Sequence, residues 1–99
     1  MNMQTRIEGK LSDKLELLHL EVQNESGNHN VPDGAESHFR VVLVADAFDG
    51  VSLVRRHRQI NHILAAELAQ IHALALHVYT PPEWQARHGD APMSPPCVN

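Results

Sequence analysis

Ninety-nine residues suffice for one compact domain and not for two. Apolar residues make up 42% of the chain and charged residues 20%, which excludes wholesale disorder and collagen-like or coiled-coil composition. A net charge of −4 excludes binding to nucleic acid through the overall field, and the longest apolar run, Val41–Ala45, cannot span a bilayer.

Met3, Ile7, Leu11, Leu15 and Leu18 recur at spacings of four, four, four and three, which predicts one helical stripe. Leu18, Leu20 and Val22 alternate with His19, Glu21 and Gln23, the period of a half-buried strand. From Asn24 to Ser37 there is no period, and Gly27, Pro32 and Gly34 mark a loop. A loop that long in so small a domain points to function or to disorder.

His38 to Ala45 is rich in β-branched residues and reads as a central strand, closed by a polar turn over Asp46–Gly50. Ser52 is the candidate N-cap of a helical region running from Leu53 to Gln70. Ile60, Ile63, Leu64, Leu68 and Ile71 form its apolar face, with Glu67 as the polar exception and a possible break near Arg55-Arg56-His57-Arg58. His72 to Tyr79 alternates again and predicts a third strand. Thr80-Pro81-Pro82-Glu83 has the form of a capping box with proline at the first helical position, so a short last helix starts there. The expected organisation is a single domain over 1–88 and a flexible proline-bearing tail over 89–99.

The expected fold is α/β (α+β), in the order α-β-β-α-α-β-α, with a three-stranded mixed sheet packed on helices. A helical crossover makes strands two and three parallel if they are neighbours, and strands one and two are expected to be antiparallel. That topology brings the long loop with His29, the strand start at His38 and the strand start at His72 to one end of the sheet. The basic tetrad belongs to the opposite pole, and His77 is carried away from the cluster.

The stretch from Glu21 to Val41, the tetrad Arg55-Arg56-His57-Arg58, the run His72-Ala-Leu-Ala-Leu76 and the tail Ser94-Pro-Pro-Cys97 together resemble the BolA family. The likeness runs from about Ile7 to Cys97. It implies a fold similar to the type II KH domain. It also implies a heterodimer with a monothiol glutaredoxin of the CGFS type through a bridged 2Fe–2S cluster, for iron–sulfur trafficking or iron and redox regulation. The family's cluster-side ligands are a histidine at the head of the last strand and a histidine or cysteine in the first interstrand loop. The matching positions are His72 and His29, so the chain is similar to the histidine-loop subgroup. The partner's cysteine and glutathione would complete the donor set. The family is also described as a DNA-binding regulator of stress response and cell morphology.

The cluster chemistry is coherent on the residues themselves. Iron–sulfur clusters are held by four thiolates in most proteins, and Cys97 is the chain's one cysteine. A lone cysteine also fits a reducing compartment, and no secretory signal is visible, so the expected location is cytoplasmic. Histidine can replace cysteine on an iron, as in Rieske centres. Taken singly, His72 reads as a strand-end residue and His29 as a solvated loop residue; convergence at one pole is what makes them ligand candidates. His38, at the same end, is a third ligand, a partner that orients a ligating imidazole, or a surface residue, the last two being favoured.

Arg55, Arg56 and Arg58 are the candidate phosphate contacts for a nucleic-acid role, or a solvated basic face that docks an acidic partner. No Gly-x-x-Gly loop is present, and aromatics are only 4%, so neither a KH-type backbone clamp nor a stacking platform is encoded. Cys97 has no neighbouring His or Lys to activate it, the carboxylates are scattered, and no phosphate-binding glycine loop appears. The chain is expected not to be an enzyme.

Overall fold

The computed structural model describes residues 2–28 and 35–92. Helix α1 covers Met3–Lys14, and Asn2 caps it by accepting from the Thr5 N–H at 2.8 Å. Met3, Ile7 and Leu11 are its buried stripe. The stripe does not continue to Leu18 as expected. Leu15 takes extended backbone angles and ends the helix, the period changes from 3.6 to 2, and Leu18 is left 64% exposed.

Strands β1 (His19–Asn24), β2 (His38–Val44) and β3 (Ala73–Tyr79) form one sheet in that order. β1 and β2 are antiparallel, with Val22 opposite Val41; β2 and β3 are parallel, with His38 opposite Ala73 and Val44 opposite Tyr79. This is the mixed three-stranded sheet that the alternation and crossover predict. One face, with Leu20, Val22, Phe39, Val41, Leu43 and Val78, packs on the helices. β2 is buried on both faces, which accounts for its unbroken apolar run.

Helices α2 (Leu53–Ile63) and α3 (Ala65–Leu68) make the crossover, and Ser52 Oγ caps α2 on the Arg55 N–H. The helical region breaks at Leu64, not at the basic tetrad, which lies in a continuous stretch of α2. Beyond the break Glu67 is buried against α1, taking Lys10 Nζ at 2.8 Å and Arg6 Nη2 at 3.1 Å. Burial pushes its carboxyl pKa up, but the Lys10 hydrogen bond, its own backbone and the two cations outweigh that and hold it below the usual value.

The last helix, α4 (Pro81–Ala86), starts with the expected capping box: Thr80 Oγ1 accepts from the Glu83 N–H, and Glu83 Oε1 accepts from the Thr80 N–H at 2.8 Å. Trp84 then lies over the second face of the sheet, its ring 4.9 Å from His19 and 5.6 Å from Tyr79. Of the tail expected over 89–99, residues 89–92 are described and 93–99 lie outside the described residues. Ala91 is buried, and the carbonyls of Ala91 and Pro92 accept from Arg40 Nη2 and Nε at 3.0 and 2.9 Å. Residues 89–92 therefore pack across the back of the sheet, held by a cation buried in its central strand. Among the described residues no helix is long and apolar enough to cross a membrane.

Candidate functional site

At the starting end of β2 and β3 a single carbonyl sets the arrangement. Ser37 C=O accepts from the His72 N–H at 2.7 Å and from the Ala73 N–H at 3.0 Å. The first residues of the two strands are thereby locked side by side, and the His38 and His72 rings lie 4.9 Å apart at 49°. His72 is exposed and His38 half-buried, with Ser37 Oγ 2.9 Å from His38 Nδ1. A hydroxyl on Nδ1 restrains the orientation of that ring, as an orienting partner does in metal sites.

The loop that enters this end has a built base. Ser26 is buried, and its Oγ accepts from the backbone N–H groups of Ser37 and His38 at 2.9 and 3.1 Å. Asn24 closes the same base from the other side: its Oδ1 takes the Ser26 N–H and its Nδ2 donates to Ala35 C=O. Glu25 N–H reaches His38 C=O at 2.7 Å. Ser26, Ser37 and Asn24 were not singled out from the sequence, although Asn-x-Ser is the local signal of such a turn. His29 lies outside the described residues, as does Cys97.

The structure thus brings His38 and His72 together and leaves His77 elsewhere. His77 sits opposite Val42 on the back face, half-buried, and burial followed by the Arg40 charge pushes its imidazole pKa down. Among the described residues no group of three or more His, Cys, Asp or Glu side chains is placed to hold a metal. Two imidazoles at an open end are an incomplete donor set, fitted to a metal centre only if other ligands come from elsewhere.

The basic tetrad lies at the opposite pole, and it is not one exposed face. Arg55 and Arg58 are exposed and, with Val51, Gln59 and His62, line an open groove of about 440 Å³. Arg56 is buried. Its guanidinium donates to Val51 C=O at 2.8 Å, to Val78 C=O at 3.1 Å, and to Glu83 Oε1 and Oε2 at 2.7 and 3.2 Å. That pairing pulls the Glu83 carboxyl down from 4.5 to about 2. The grouping of Arg56 with Arg55 and Arg58 is corrected by this geometry, because its donors are spent inside the fold.

A small α+β domain with an open histidine end and a closed arginine end is the class these observations define. The chain belongs to the BolA-like protein family, whose model matches residues 11–83. It is 52% identical over 97 residues to a Vibrio cholerae protein named DNA-binding transcriptional regulator BolA, covering 97% of this chain and 92% of that protein. The solution structure of mouse BolA1 matches with a TM-score of 0.84 at 41% identity, over 100% of this chain and 80% of that one. The BolA domain of SufE1 from Arabidopsis thaliana matches with a TM-score of 0.75 at 39% identity, over 84% and 96% of the two chains. The expected α+β order with a three-stranded mixed sheet packed on helices is the fold observed, and these solved structures share it.

Proposed function

We propose that this chain is the histidine-donating half of a heterodimer with a monothiol glutaredoxin, the two proteins sharing a 2Fe–2S cluster for iron–sulfur trafficking or iron and redox regulation. The observation that carries this reading is the exposed His72 ring, backed by His38, at an end where the described residues supply too few ligands for a metal. His72 and His29 are the proposed ligands. The partner's cysteine and glutathione would supply the sulfur, and the cluster would supply one-electron chemistry or serve as cargo.

This chain's own part is positional. Ser37 C=O pins the backbone of His72, and His38, oriented through Ser37 Oγ, is the proposed positioning residue for its ring. A ligating nitrogen must carry no proton, so acid opposes complex formation. The test is to add the protein to a cluster-loaded glutaredoxin dimer and follow visible absorption and circular dichroism. The wild type is expected to change both spectra, His72→Ala to abolish the change and His29→Ala to diminish it. An unchanged response from His72→Ala defeats the reading.

A second reading, a DNA-binding regulator of stress response and morphology, is favoured by the name of the Vibrio cholerae relative and by the groove between Arg55 and Arg58. Two available guanidiniums predict that log K falls with log salt with a slope of about −2. Binding should survive His72→Ala and be lost on joint replacement of Arg55 and Arg58 by Ala. A steeper slope, or retention after that replacement, rules out this groove.

A further inference from the structure

The two edges of the sheet are guarded differently. β1 carries Glu21, whereas β3 reads Ala-Leu-Ala-Leu-His-Val-Tyr, with no proline and no Lys, Arg, Asp or Glu. An edge strand of that length and composition is a template for another strand, because half of its main-chain groups point away from the sheet. The ladder decides which half. Ala73 N–H goes to Ser37 C=O, and Ala45 N–H goes to Tyr79 C=O at 3.1 Å. With His38 opposite Ala73 and Val44 opposite Tyr79, the odd-numbered residues of β3 turn N–H and C=O toward β2.

Leu74, Leu76 and Val78 therefore turn theirs outward. The Val78 carbonyl is met by Arg56 Nη1, which agrees with that parity and closes one end of the edge. At the other end the His72 N–H is already taken by Ser37 C=O. Between these two stops the outward N–H and C=O of Leu74 and Leu76 have no partner among the described residues.

We propose that this edge pairs with the β3 strand of a second copy of the same chain, antiparallel about a two-fold axis at Ala75. In that register Leu74 and Leu76 exchange both bonds with the second copy's Leu76 and Leu74. Val78 N–H meets the second copy's His72 C=O. The two groups left over in that last pair, Val78 C=O and His72 N–H, are the two already bonded inside their own chain. A foreign strand has no reason to match those stops; the chain matches itself.

The side chains agree. Ala75 faces Ala75 in the narrow pair, where Cα atoms approach to about 4.5 Å and small residues fit best. Ala73 faces His77, and no like charges are opposed. The interface is isologous and closes at two. It sets the two His72 residues about 20 Å apart, each beside the Arg56 end of the other copy. One strand pair buries an area at the low end for specific complexes, so the dimer is weak.

Sedimentation equilibrium of the full chain tests this. The mass should rise from 11.1 kDa toward twice that value as concentration increases from about 10 μM to about 1 mM. Over the same range the Leu74, Leu76 and Val78 amides should become protected from hydrogen exchange, while odd-numbered β3 amides are protected throughout. Ala75→Lys opposes like charges on the axis and should weaken the dimer by about tenfold or more; Ala75→Glu should do the same, with circular dichroism confirming that each variant folds. A monomer at every concentration overturns the proposal. So does a dimer indifferent to both Ala75 variants, or protection of these amides that appears only when another protein is added.

Discussion

Where β2 and β3 finish, Arg56 reaches inward and binds the carbonyls of Val51 and Val78 and both oxygens of Glu83, which in turn closes the capping box on Thr80. Where the same strands begin, His72 stands in solvent against the ring of His38. The two ends use their polar groups oppositely. One spends its hydrogen-bonding capacity on joining α2, β3 and α4; the other spends Asn24, Ser26, Ser37 and backbone groups on shape and leaves an imidazole exposed. Polar residues with their donors satisfied inside a fold serve stability, and those held in place but left open are available for binding.

The largest effect expected from breaking this contrast is at the closed end. Arg56→Ala removes the donors of two carbonyls and the partner of Glu83, and should cost about 3 kcal/mol in urea unfolding with an unchanged m-value. Arg55→Ala and Arg58→Ala, which touch only solvent-facing surface, should stay within about 0.5 kcal/mol. Equal effects from all three would mean that the end is not closed by Arg56 at all.

Acid should reach the closed end next. The hydrogen bond from Arg56 holds the Glu83 carboxyl at about 2, below its ordinary 4.5. A carboxyl that ionises more readily in the folded state than in the unfolded one stabilises fully above about pH 4.5, and the contribution is lost as pH falls toward 2. Since the Glu83 side chain is 45% exposed, solvent screening keeps this contribution modest. The stability difference between wild type and Glu83→Gln should be constant above pH 5 and shrink between 4.5 and 2. A difference independent of pH through that window would show that the pair contributes shape and not charge.

The contrast between the ends also explains what could be read from the sequence. The Ser52 cap, the Thr80–Glu83 capping box and the strand alternations are local signals, and they appear in the structure. The meeting of His38 and His72 follows from topology, because a parallel crossover returns the third strand to the end where the second one starts. Arg56 was misread because a run of basic residues suggests a surface. It stands four residues before the buried Ile60, so the helical period itself places it on the inward stripe. Glu67 was visible as an anomaly on that stripe, but its partners Arg6 and Lys10 lie on another helix, which no local pattern connects to it. The hydroxyls of Ser26 and Ser37 were hidden for a similar reason: they act on backbone groups across the base of a loop.

The effect of His72 on stability is expected to be as small as those of Arg55 and Arg58, and its smallness is the informative part. The ring is exposed; its contact with His38 is an open one, and its backbone bond to Ser37 does not depend on the side chain. His72→Ala should therefore leave the unfolding free energy within about 0.5 kcal/mol of wild type. Aromatic pairs in buried settings contribute about 0.5–1.5 kcal/mol, and solvent around this pair keeps it below that range. Such a variant separates the two roles a strand-end histidine can play. If it were a structural residue, its loss would register in the urea midpoint and leave cluster spectra to fail only in proportion to unfolding. If it is a ligand, the fold persists and the spectral response alone disappears. A cost above about 1.5 kcal/mol would place His72 with Arg56 among the residues that hold the domain together, and the distinction between the two ends would lose its physical basis.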